Sequence, residues 1–253
     1  MSDFRNGFTN TAPATADMSV DAGLRSFMLG VYTKVALGLV ISAALAWVTG
    51  SFEPVKDLLY VTQVFPDGVA RLTGYTILGM IVAFSPLVIL LGSNFVMKNP
   101  TSGGASALYW VIVALIGASM GSVVLVYTGT SVVSTFLITA AAFGALSLWG
   151  YTTKKDLSGF GSFLIIGVIG LIIASLVNMF LQNGIMQLII SAVGVLLFAG
   201  LTAYDTQRLK MTYYALGGNQ TAMSVATSYG ALSLYINFIN MFQFMLALFG
   251  GRR

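Results

Sequence analysis

The sequence predicts an all-α polytopic membrane protein with seven transmembrane helices. Of its 253 residues, 57% are hydrophobic and only 8% charged, whereas a soluble domain carries about 25% charged residues on the surface that water wets. The apolar residues fall in repeated runs near twenty, close to the roughly 20 residues a helix needs to cross hydrocarbon. Apolar and polar residues do not alternate within these runs, so the pattern of a membrane β-barrel is absent. A helix pairs its own backbone groups, which makes it the default spanning element in lipid.

Residues 1–26 are polar, with three Asp and two Arg, and read as a mobile N-terminal arm ahead of a bundle over 27–250. No apolar core directly follows a basic start, so the arm is not a signal peptide. The first span is expected near 27–49, with Trp47 as an interface anchor. Residues 50–71 contain Pro54 and Pro66, and their half-apolar middle is expected to lie on the membrane surface. The second span is placed near 72–97. Its Pro86 should bend the helix or free one carbonyl. The third and fourth spans, near 104–127 and 131–149, are separated by Thr128, Gly129 and Thr130 and should form an antiparallel hairpin. Gly117 and Gly121 make a GxxxG in the third span, a spacing that lets helices approach closely. The fifth span is expected near 160–181, the sixth from 185 to 205 or somewhat beyond, and the seventh near 223–249. Gly217, Gly218 and Asn219 supply the turn before the seventh.

Seven spans put the arm and the loops at 98–103, 150–159 and 206–222 on one side. That side collects Arg5, Arg25, Lys34, Lys98, Lys154, Lys155, Arg208 and Lys210, against Lys56, Arg71, Arg252 and Arg253 on the other. The bias predicts an N-terminus on the inner side of the membrane and a C-terminus on the opposite side. It also accounts for the net charge of +4 without nucleic acid as a partner. The chain has no Cys and no His, which removes disulfides, thiol nucleophiles and Cys/His zinc sites. No P-loop pattern is present, and no cofactor is expected.

Function should lie with polar residues that are expensive to bury. Asp205 sits in GLTAYDTQRLK near the end of the sixth span. A buried ionised carboxylate must be paired or give up its charge. Two readings fit: a titrating gate or ion ligand, and a structural link to Arg208 three residues on. Ser233, Asn237 and Asn240 share one face of the seventh span, with Asn237 near mid-membrane. Ion or water passage and interhelical hydrogen bonding both suit them. Ser175, Asn178 and Gln182 repeat the spacing in the fifth span and could line the same interior.

Three stretches resemble the transmembrane Bax inhibitor motif family in its bacterial branch: KKDLSGFGSFL (Lys154 to Leu164), AYDTQRLK (Ala203 to Lys210) and ALSLYINFINMF (Ala231 to Phe242). The resemblance covers roughly residues 25–250 and implies a seven-helix bundle whose seventh helix is central. It also implies a pH-sensitive calcium leak, held closed in some bacterial members by two aspartates on the sixth and seventh helices that share a proton. The first matches Asp205. The second falls on Asn237, so this chain replaces one carboxyl by an amide. Two carboxylates in contact share a proton and sense pH. An amide donates a hydrogen bond at any pH, so the resemblance leads to a latch at Asp205 and Asn237 that responds less to pH.

The leading expectation is therefore a passive ion-permeable protein, a calcium leak, with at most a weak, transient calcium site at Asp205, because calcium wants several hard oxygen ligands. The alternative is a non-conducting regulatory partner of a membrane-bound quality-control protease, with the arm as the contact. An intramembrane enzyme is not expected, since Asp205 has no second intramembrane carboxylate. The sequence leaves the oligomeric state open.

Overall fold

The computed structural model describes residues 22–66, 70–96 and 99–252. Its elements run α1 (Ala22–Ser51), α2 (Glu53–Leu59), β1 (Tyr60–Val64), β2 (Ala70–Tyr75), α3 (Ile77–Val96), α4 (Ser102–Ser119), α5 (Gly121–Val126), α6 (Gly129–Thr152), α7 (Ser158–Leu181), α8 (Gly184–Ala215) and α9 (Gln220–Phe249). Among the described residues six helical segments are long and apolar enough to cross a membrane, with α4 and α5 counted as one. A shorter apolar run covers Ile77–Ser93 in α3. The architecture is all-α and polytopic with one small hairpin added.

Several expected boundaries move. Residues 22–26, expected in the arm, begin α1, because Leu24 is fully buried and Phe27 packs on Tyr213 near the end of α8. The rest of the arm lies outside the described residues. Within the stretch 50–71, α1 ends at Ser51 and α2, with Pro54 in its first turn, covers Glu53–Leu59. Tyr60–Val64 then pairs antiparallel with Ala70–Tyr75, with an irregularity between Val61 and Thr62. Residues 72–75 therefore belong to a strand, and α3 starts at Ile77. Thr76 sets that start: its hydroxyl accepts the Gly79 N–H at 3.0 Å and donates to the Leu58 carbonyl at 2.7 Å. Inside α3, Pro86 has no N–H for the Val82 carbonyl, and the Ser85 hydroxyl takes that carbonyl at 3.0 Å.

The third span is interrupted at Met120. The carbonyls released there find hydroxyl partners, as buried backbone groups must. Thr49 and Tyr60 both donate to Ala118 at 3.0 Å, and Tyr60 also reaches Ser119. The break lies where α1 crosses. A Cβ on Gly117 would stand 2.6 Å from the Ser42 Cα, and one on Gly121 would stand 2.9 Å from the Gly50 nitrogen. The GxxxG spacing thus lets the α1 and α4–α5 backbones touch. Ser42 adds hydrogen bonds to Tyr235 at 2.6 Å and to the Val113 carbonyl at 3.1 Å.

Helix α9 is the most deeply enclosed. Half of its most apolar window is buried against 17% for α7, so α9 is an interior element and α7 a peripheral one. It packs against α8, α1, α4 and α6, with Leu234, Tyr235, Phe238 and Met241 nearly inaccessible. On α7, Ile165, Ile166, Ile169, Ile172 and Ile173 face outward, an apolar surface suited to hydrocarbon and not to water. Helix ends sort onto two faces. On one, Ser102 meets Ser224 at 2.5 Å and Lys210 meets the Tyr151 carbonyl at 3.2 Å. On the other, Gly251 returns beside the start of α6, where its carbonyl accepts the Thr128 N–H at 2.9 Å.

Candidate functional site

Helix α8 runs on to Ala215, and about 15 Å of helix follow Asp205 at 1.5 Å per residue. This length carries Asp205 into the interface with α9, where it is 4% exposed. Helical spacing on α9 puts Ser233 and Asn237 on the face that meets it. Asn237 Nδ2 donates to Asp205 Oδ2 at 2.8 Å, and Ser233 Oγ donates to the same oxygen at 2.6 Å. Arg208, one turn along α8, pairs with Oδ1 at 2.8 Å and reaches Ser233 Oγ at 3.4 Å. Its guanidinium also lies 5.6 Å from the Tyr204 ring centre.

Every contact to the carboxylate is a donor, which is what an ionised buried carboxylate requires. The partners differ in environment. Asn237 is 4% exposed, whereas the Arg208 side chain is 48% exposed. The amide is a fixed donor inside the bundle, and the guanidinium is a removable one at its edge.

The other predicted polar residues lie elsewhere. Asn240 donates to the Ile236 carbonyl of its own helix at 2.8 Å, and Ser175 likewise donates to Leu171 at 2.8 Å. Asn178 donates to Gln187 at 3.1 Å and accepts the Asn183 N–H at 3.1 Å, so it organises the α7–α8 turn. Gln182 ends α7 in a left-handed conformation with φ 50°. The structure does not bring Ser175, Asn178 and Gln182 to Asp205. Lys98 lies outside the residues whose structure is described.

Two further polar connections were not anticipated. Gln207 accepts the Leu157 N–H at 2.8 Å and donates to the Lys155 carbonyl at 2.7 Å, which ties the α6–α7 loop to α8. Lys34, counted with the inner end of the first span, lies along α1. Its amine donates to Ser228 at 2.7 Å and to Ser106 at 3.4 Å, joining α1 to α9 and α4. A mid-helix lysine at position 34 was the available signal. For Gln207 the signal was an amide two residues past Asp205. The three stretches that carried the family resemblance therefore converge, through Gln207 on one side of α8 and Asp205 on the other.

Residues 24–253 match the family described as "Inhibitor of apoptosis-promoting Bax1". The chain belongs to this Bax inhibitor-like family. An uncharacterised protein of Caulobacter vibrioides is 62% identical, with all of both chains covered. The inner membrane protein YbhL of Escherichia coli K12 is 39% identical over 92% of this chain and 94% of its own. A Rickettsia prowazekii protein is 38% identical over 97% and 98%. With its long apolar helices, the chain is a multi-pass protein of the bacterial inner membrane. The family is not one of enzymes. Among the described residues no three His, Cys, Asp or Glu side chains group as a metal site, so a cation at Asp205 would rely on hydroxyl, amide and backbone oxygens.

Proposed function

We propose that the chain is a passive ion-permeable protein, a calcium leak, in which Asp205 and Asn237 form the latch between α8 and α9. In this reading α3 is the remaining span, giving seven with α9 at the centre and the N-terminal arm in the cytoplasm. The observation that carries it is the Asp205 carboxylate, buried between two helices and held by Asn237, Ser233 and Arg208.

In this state both carboxylate oxygens face donors, which leaves them poorly placed to ligate a cation. Opening requires Arg208 to leave toward solvent and the α9 donors to rotate. Asp205 Oδ1, Ser233 Oγ and Asn237 Oδ1 would then offer hard oxygens to a calcium ion in a weak, passing site. Two facing carboxyls share a proton and couple their titrations. Asn237 cannot take part in such sharing, and its amide holds Asp205 without a proton. The latch is therefore less pH-responsive than one made of two aspartates.

The test is calcium flux into proteoliposomes from acid to neutral pH, comparing the protein with Asn237→Asp. The expected result is a flatter profile for the native protein and a steeper one for N237D. Identical profiles would refute the latch. No flux above protein-free liposomes from either protein would refute conduction and leave the regulatory alternative.

A further inference from the structure

The face opposite the α6–α7 loop carries a second polar feature, which the latch does not use. A cavity of about 460 Å³ opens where α7 turns into α8, beside the returning end of the chain. Its lining combines the polar Asn178, Gln182, Gln187 and Arg252 with the apolar Met179, Leu188 and Leu248.

Donor and acceptor accounting identifies what such a cavity takes. Asn178 Oδ1 already accepts the Asn183 N–H, and Gln187 Oε1 already accepts from Asn178 Nδ2. Asn183 Oδ1 accepts the Met186 N–H at 3.0 Å. The amide oxygens of these three side chains are engaged by donors within the turn. Each amide nitrogen carries two hydrogens, and Asn178 uses one of its two. Gln187 Nε2 makes one long contact, 3.4 Å to Ser191. The Gly184 N–H, first in the 32-residue α8, has no acceptor among the described residues and sits at the positive end of the helix. Arg252 adds five N–H donors and a permanent charge, with no carboxylate at ion-pair distance among the described residues. The Gln182 amide offers an acceptor as well as donors, and the Arg252 charge lines the same cavity.

Arg252 is held in place by a clasp. The Gly251 N–H donates to Ser131 Oγ at 2.9 Å, its carbonyl accepts the Thr128 N–H, and Arg252 bridges Tyr127 as an isolated antiparallel pair. The arginine thus sits just beyond Phe249, where α9 leaves its apolar segment. Donors and a cation beside the exposed apolar side chains of Met179 and Leu188 match a molecule with an anionic head and a hydrocarbon tail.

We propose that this cavity binds the phosphate of an anionic phospholipid headgroup, with Arg252 and the α7–α8 turn on the phosphate and one acyl chain along Met179, Leu188 and Leu248. The shared chemistry with free phosphate is the oxyanion. The lipid is favoured because the apolar wall adds contacts that a free ion cannot use.

The experiment is native mass spectrometry of the full chain released from mixed phosphatidylglycerol and phosphatidylcholine micelles. The native protein should retain one phosphatidylglycerol in preference to phosphatidylcholine. Arg252→Gln should lower that retention at least about fivefold, the loss expected for one charge-assisted contact, and Arg252→Lys should restore part of it. Lys154→Gln, an exposed charge on the other face, should change nothing. Equal loss in K154Q would show unspecific attraction and overturn the site, as would unchanged retention in R252Q. Added inorganic phosphate should not displace the lipid at matched concentration; complete displacement would assign the cavity to the free ion and overturn the lipid reading. Retention in the variants is read on protein with a native far-UV spectrum, which separates loss of the site from loss of the fold.

Discussion

Replacing Asp205 by Asn keeps the size of the side chain and removes its charge, so it isolates what the carboxylate contributes between α8 and α9. Ser233 and Asn237 both donate to Oδ2, and Arg208 donates to Oδ1. A hydrogen bond to a charged acceptor contributes about 1.5–3 kcal/mol and one to a neutral acceptor about 0.5–1.5. The two α9 contacts should together weaken by about 2 kcal/mol. An amide also presents an NH₂ group on one side. Whichever way it turns, a donor then faces either Arg208 or the α9 pair, which adds about 1 kcal/mol for an unsatisfied group. The expected destabilisation is about 3 kcal/mol. Arg208→Ala should cost less than about 1 kcal/mol, because its half-exposed side chain is screened and can be solvated. Unfolding titrations in mixed sodium dodecyl sulfate and maltoside micelles, followed by far-UV circular dichroism, measure both. In the double variant D205N/N237A the two effects should fall short of their sum by about 1–2 kcal/mol, as for groups in direct contact. A D205N stability within about 0.5 kcal/mol of native would refute the reasoning. So would an R208A variant as unstable as D205N, since the exposed ion pair would then outweigh the buried hydrogen bonds.

Gly117→Leu should force α1 and α4 apart and cost at least about 1–3 kcal/mol by overpacking, because even a Cβ meets the Ser42 Cα at 2.6 Å. Gly144→Leu, with open space around that position, should be neutral or stabilising in the same titration. Gln207→Leu should release the α6–α7 loop by removing its contacts to Lys155 and Leu157, seen as faster amide exchange at residues 153–157 with unchanged exchange in α9. The Asp156 carboxyl, in that loop, is held below its ordinary value of 3.8 by the Ser158 side chain and then by the Ser158 N–H. A lowered carboxylate stabilises the folded loop above that ordinary value and loses the effect as pH falls through the lowered one. Ser158→Ala should move the Asp156 carbon-13 titration upward; an unchanged midpoint would remove the side-chain hydroxyl as the cause.

Much of the bundle was legible because lipid imposes one strong rule on sequence. A spanning segment must be apolar over a helix length, and hydrophobic runs report this without any neighbour. The helices from α6 to α9 begin and end within a few residues of expectation, except where α8 runs on through TAYDTQRLKMTYYA. That extension is polar and carries its own charges, so hydropathy places the end of the span at 205 or somewhat beyond without fixing it. The hairpin at Tyr60–Tyr75 was missed for a related reason. Half-apolar composition fits a surface helix and a strand equally, and β1 is identified only by pairing with β2. The interruption at Met120 was likewise unreadable, because its released carbonyls are satisfied by Thr49 and Tyr60 from distant parts of the chain.

For the site, residue identity and helical spacing were enough to single out Asp205, Arg208, Ser233 and Asn237, since a carboxylate and amides in apolar helices are costly unless partnered. Spacing also selected Ser175, Asn178 and Gln182, and it could not tell that their helix lies at the periphery. Periodicity reports which residues share a face, while only packing decides what that face meets. By itself the sequence determined the membrane-spanning class, the approximate order of helices and the polar residues that need partners. The tertiary structure decided that α9 is enclosed, that Gln207 and Lys34 join helices, and that one carboxylate is held by three donors. Those facts depend on contacts between segments far apart in the chain, and no local pattern of hydrophobicity encodes them.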